Sequence, residues 1–95
     1  MKILALEQTV AGKVPDETAP HLRAEAERVW ELYQAGVIRE IYFRQDRSEA
    51  VIVLECDGPA EAEKSIASLP LVQLGLIRFE IIPLVPYPGF ARLFT

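Results

Sequence analysis

Residues 37–56 read V-I-R-E-I-Y-F-R-Q-D-R-S-E-A-V-I-V-L-E-C. Val37 to Arg44 is rich in β-branched and aromatic side chains, and Ala50 to Cys56 is richer still. The five residues between them, Gln45 to Glu49, are polar and charged. Two β-prone runs joined by so short a polar link make a hairpin, the second and third strands of the chain.

Upstream of the hairpin, Thr18 to Ala35 carries Leu22, Ala26, Val29, Trp30 and Tyr33 at spacings of four, three, one and three. That rhythm places them on one stripe of an α-helix. Thr18 or Asp16 supplies a cap oxygen, Pro20 fits only in the first turn, and Gly36 closes the helix as its C′ residue. Before the helix, Lys2 to Thr9 is a mostly apolar run that stops at Gly12 and Pro15, as suits a strand buried on both faces.

Downstream, Asp57-Gly58-Pro59 ends the third strand and starts a second helix, with Ala62, Ile66 and Leu69 as a narrow inward stripe and Pro70 as its end. After a short connection containing Gly75, Leu76 to Ile82 alternates as the fourth strand. The tail from Pro83 to Thr95 contains Pro83, Pro86, Pro88 and Gly89, which resist helix and central strand, together with apolar Leu84, Val85, Tyr87, Phe90, Leu93 and Phe94. It reads as an apolar arm without a fold of its own. The order is βαββαβ, an α+β, ferredoxin-like arrangement of one four-stranded antiparallel sheet with two helices on one face.

At 95 residues, 51% hydrophobic and 25% charged, the chain has the composition of one small globular domain and not of a disordered or collagen-like one. The net charge is −4 and the arginines are scattered, so the basic stripe that nucleic-acid binding needs is missing. No apolar run approaches the ~20 residues of a membrane span, and Met1 to Glu7 is too short and then too acidic for a secretory segment. A cytoplasmic location is expected. The lone Cys56 has no partner for a disulfide and no neighbour at metal-ligand spacing, so it reads as a small buried hydrophobe.

Two helices shelter one face of the sheet, and period two assigns the strands' side chains. Ile77, Phe79 and Ile81 point to the helices, with Arg78, Glu80 and Ile82 opposite. Ile41 and Phe43 point inward, leaving Ile38, Glu40, Tyr42 and Arg44 on the uncovered side, where Val51 and Val53 join them. An apolar centre on an uncovered face marks an interface. Two such sheets placed face to face give a dimeric α/β barrel, so residues 1–95 are expected to form a single dimeric domain, with residues 83–95 as a proline-rich arm laid on a neighbour or on an edge strand.

The candidate chemistry follows from that enclosure. Glu40 or Glu80 serves as a base, because a carboxylate shut away from water gains affinity for a proton. Arg44 or Arg78 clamps a substrate carboxylate, and Tyr42 donates a hydrogen bond. His21, with Glu25 one turn along the helix, is either a general acid/base or a solvated pair. The charges of the uncovered face serve equally well as cross-strand or intersubunit pairs. Trp30 and Tyr33 read as core in preference to ligand-stacking groups, and Tyr87 as a lid or an anchor for the arm. No phosphate loop, nucleophile elbow or metal-spaced carboxylate cluster stands out, so no cofactor and no metal is expected.

The segments Gly36-Val37-Ile38-Arg39-Glu40-Ile41-Tyr42-Phe43-Arg44 and Ser68-Leu69-Pro70-Leu71, followed by a strand and a proline-containing tail, resemble the muconolactone Δ-isomerase-like branch of the dimeric α/β barrels. The resemblance spans Leu22 to Gly89. It implies a ferredoxin-like protomer, tight dimerisation through the sheet, a larger ring in some members, a pocket between sheet and helices, and cofactor-free proton transfer within a small lactone. The expectation is therefore a cofactor-independent, isomerase-like protein acting on a small carboxylated or lactone-type molecule, as a dimer or multiple of dimers without nucleic acid or membrane. The alternative is a non-catalytic ligand-binding or assembly module of the same architecture.

Overall fold

The computed structural model describes residues 1–12 and 15–95, Pro15 by its backbone alone. Strand β1 (Lys2–Thr9) leads to a short helix α1 (Pro15–Thr18), a 3-10 turn (Ala19–His21) and helix α2 (Leu22–Gln34). The hairpin β2 (Ile38–Phe43) and β3 (Ala50–Glu55) follows. Helices α3 (Pro59–Ala67) and α4 (Pro70–Gln73), strand β4 (Ile77–Pro83) and a terminal 3-10 segment (Gly89–Phe94) complete the chain. The sheet order is β2-β3-β1-β4 with every pairing antiparallel, so the ferredoxin-like architecture expected from the sequence is the one observed.

The helix expected to run unbroken from Thr18 is divided at Pro20, whose ring and missing N–H interrupt the helical ladder. The N-cap position of α2 accordingly falls on His21, and that side chain makes no capping hydrogen bond. At the other end Gly36 adopts φ 80°, and the helix closes through Val37 N–H to Leu32 O (3.0 Å) and Gly36 N–H to Tyr33 O (3.1 Å). Pro70 does more than end a helix. Leu69 is extended, and Pro70 sits at the first position of α4, so the expected connection is itself a helical turn.

The core lies between sheet and helices and is built from Ile3, Ala5, Ile52 and Leu54 of the inner strands with Ala62, Ile66 and Leu69 above them. Cys56 is buried beside them, and burial pushes its thiol above the usual range. One reading is corrected here. A register shift between Ile38 and Glu40 sets Ile38 opposite Leu54, and Ile38 is 1% exposed in the core instead of lying on the uncovered face. From Glu40 onward the alternation is as expected. The uncovered face carries half-buried Leu4, Leu6, Val51, Val53 and Ile82, ringed by exposed Lys2, Glu40, Tyr42, Arg78 and Glu80.

Helix α3 packs against β4, whereas α2 rests on β2 and α4. Among the described residues no helix is long and apolar enough to cross a membrane. Beyond Leu84 the chain leaves the sheet, and the whole molecule measures 56 × 29 × 21 Å.

Candidate functional site

Between α2 and the sheet lies a cavity of about 570 Å3, the size of a small-molecule site. Leu22, Ala26, Val29, Trp30 and Tyr33 of α2 form its roof, and Ile41, Phe43, Ala50, Ile52, Ile77 and Phe79 of the sheet form its floor, with Leu69 and Leu71 also lining it. The helical stripe is as the sequence predicts, but the stripe does not fill the space beneath it. Trp30 is 57% and Tyr33 49% exposed, so neither is a core residue. Their rings stack with centroids 5.7 Å apart along the wall.

Among the described residues, Glu7 and Glu25 are the only charged side chains lining this apolar space. Glu7 lies on β1 in phase with Ile3 and Ala5, opposite Phe79, and its Oε1 accepts the Ala50 N–H at 2.9 Å. The β1–β3 pairing ends at Leu6 and Val51, so this carboxylate replaces the next rung of the ladder. Glu25 projects from the first turn of α2, and its Oε1 accepts the Leu71 N–H at 3.0 Å. Burial pushes both carboxyls above the ordinary value of 4.5, against the pull of the N–H each accepts. The charges of Glu49 and Glu25 push Glu7 further in the same direction. Neither carboxylate forms an ion pair among the described residues.

Glu49, next to Ala50 on the hairpin, is handled in the opposite manner. It is 7% exposed, accepts Thr9 Oγ1 at 2.7 Å, and meets Arg47 at 2.9 Å and Arg44 at 3.8 Å. A buried carboxylate held by two guanidiniums is a structural clamp on the hairpin. The pair in the cavity lacks that neutralisation.

The residues singled out from the sequence are distributed as follows. Tyr42 donates to Glu40 at 2.8 Å on β2, which raises the phenol's affinity for its proton. Glu80 accepts from Gln8 at 3.3 Å on β4, next to Arg78. Because β2 and β4 are the two outer strands, these sets stand apart by three strand spacings, roughly 14 Å. Arg44 pairs with Asp46 at 2.6 Å in the hairpin loop, and that contact raises the guanidinium and lowers the carboxyl. His21 precedes α2 and is not among the cavity's lining residues, while Glu25 is turned to Leu71. Glu7 was legible: it is the one carboxylate in phase with Ile3 and Ala5 along an apolar strand. The Glu25–Leu71 contact joins residues 46 positions apart and left no local signal.

No family model and no curated protein matches the chain. Among solved structures it is similar to 5-chloro-2-hydroxyhydroquinone dehydrochlorinase (TftG) from Burkholderia phenoliruptrix AC1100, in complex with 2,5-dihydroxybenzoquinone. The TM-score is 0.73 over 94% of this chain and 98% of that one, at 12% sequence identity. The likeness is one of fold.

Proposed function

We propose that this chain is a cofactor-independent catalyst of proton transfer, of the isomerase type, and that the cavity between α2 and the sheet is its active site. The observation carrying this reading is the presence, in an otherwise apolar cavity, of two carboxyls with raised proton affinity that form no ion pair among the described residues. Groups with that environment hold a proton more readily than a carboxyl in water, and two of them serve as an acid–base pair. Glu7, under both burial and two neighbouring negative charges, is the acid, and Glu25 is the base. Glu25 removes a proton from a carbon or hydroxyl of the substrate, Glu7 delivers one at a second position, and the double bond shifts between them.

Two acidic groups repel a substrate carboxylate, so a neutral ring bearing hydroxyl or carbonyl groups suits this cavity better than an acid. Trp30, Tyr33, Phe43 and Phe79 supply its stacking surface. The ring bound by the similar dehydrochlorinase likewise bears hydroxyl and carbonyl groups. Incubation with hydroxylated benzoquinones and unsaturated lactones in D2O tests the proposal. The protein is expected to speed deuterium uptake at ring carbon, and Glu7→Gln and Glu25→Gln each to slow it by about 10²–10⁴-fold. Uptake no faster than in buffer leaves the non-catalytic binding module as the reading.

The uncovered sheet face supports a second element of the proposal, a homodimer formed through Leu4, Leu6, Val51, Val53 and Ile82. Only when two sheets meet do Glu40, Tyr42, Arg78 and Glu80 enter an enclosed space, where they act as interface pairs or as a second proton-transfer set. Light scattering during size-exclusion chromatography checks it: a stable 10.7 kDa species at micromolar concentration overturns the dimer.

A further inference from the structure

The C-terminal arm is built from local contacts and a 3-10 segment, Gly89–Phe94. The Tyr87 ring lies where any side chain at position 89 would stand, and it meets Phe90 edge to face at 5.0 Å. This leaves Phe90, Leu93 and Phe94 exposed, Phe94 by 86%. A compact chain of this length has a radius of gyration of about 12–13 Å. Here it is 15.4 Å, and the longest dimension is 56 Å, so the arm is carried away from the body.

Its direction is set by β4. Pairing with β1 runs to Pro83 opposite Ile3 and is extended by Leu84 N–H to Lys2 O at 3.0 Å, so the arm leaves at the Met1 end of the sheet. The acidic end of the cavity, at Glu7, lies four residues along β1 from Ile3, roughly 14 Å away. The arm therefore heads away from its own cavity. The mouth of that cavity is itself an exposed apolar patch, made of Leu22, Trp30, Tyr33 and Phe43, the last 72% exposed. The charges are complementary as well: Arg92 is the arm's only charged side chain, and Glu7 and Glu25 are the cavity's among the described residues.

We infer that the arm of a second copy closes the cavity, placing Phe90 and Phe94 on Trp30 and Tyr33 and directing Arg92 toward Glu7 and Glu25. The inference rests on the cavity being the binding site proposed above, and it makes that site incomplete in a single chain. The second copy supplies a lid against water and a guanidinium for two carboxylates that form no ion pair among the described residues of their own chain.

Cross-linking tests it without reference to turnover. In a Cys56→Ala background, Phe94→Cys and Tyr33→Cys variants, one tagged and one untagged, are mixed and mildly oxidised. A disulfide between tagged and untagged chains is expected. Failure of that cross-link, or a Phe94→Cys/Tyr33→Cys double variant that closes only within one chain, overturns the inference while leaving the deuterium assay to judge the cavity. Carbon NMR titration of the Glu7 and Glu25 carboxyls supplies the second readout. Arg92→Gln should raise both midpoints and Arg92→Lys restore them, whereas midpoints unmoved by Arg92→Gln remove Arg92 from the site.

Discussion

Helices α2 and α3 lie over the same face of the same sheet, yet they meet it differently. Helix α3 presents Ala62 and Ile66, both buried, and sits directly on the core. Helix α2 presents larger side chains but buries only Leu32, near its C-terminal end, and the rest of its apolar stripe roofs a cavity. Ala62 and Ile66 fill the space beneath α3, whereas Trp30 and Tyr33, both about half exposed, leave the space beneath α2 open. The difference divides labour: one helix carries stability, the other shapes a site.

If that division holds, the largest effect on folding belongs to α3. Ile66→Ala should cost about 2–5 kcal/mol in urea unfolding, because the cavity it creates cannot collapse in a packed core. Trp30→Ala should cost under about 1 kcal/mol, since the ring is already more than half exposed, while weakening ligand binding measured by calorimetry by roughly tenfold. A large loss of stability at Trp30 would erase the distinction between the two helices.

A smaller effect separates the two kinds of buried carboxylate. Glu7 and Glu25 bind protons more tightly folded than unfolded, so the stability they confer is complete below the ordinary value of 4.5 and is lost as pH rises through that value toward the raised one. Glu7→Gln keeps an acceptor for Ala50 and abolishes that loss. Its melting temperature should exceed that of the parent by a few degrees at pH 7 and match it near pH 4 in calorimetric scans. Glu49→Gln breaks contacts with Arg44 and Arg47 and should melt lower at pH 7. The smallest effect is expected at Arg23 and Glu27, an exposed pair on the outer side of α2, where Arg23→Ala should change stability by no more than about 0.5 kcal/mol.

The strand and helix order was legible because periods of two and 3.6 run through nearly every element. What those periods report is which side of an element is apolar. They do not report whether another atom fills the space beyond it, so Trp30 and Tyr33 read as core and instead line a void. A single inserted residue near Arg39 shifted the phase of β2 and moved Ile38 across the sheet, which alternation alone does not register. The pairing of His21 with Glu25 followed from helix spacing, while the actual partner of Glu25 comes from a turn made by a distant proline.

That proline limits the hydrogen bonding of the proposed base. Residue 70 has no amide hydrogen, so the start of α4 offers Glu25 the Leu71 N–H but none from its neighbour. A carboxylate gripped by two such donors would ionise as readily as any in water; gripped by one, it retains its appetite for a proton. Pro70→Ala, by restoring the second donor, is expected to make Glu25 a weaker base without touching a single cavity-lining side chain.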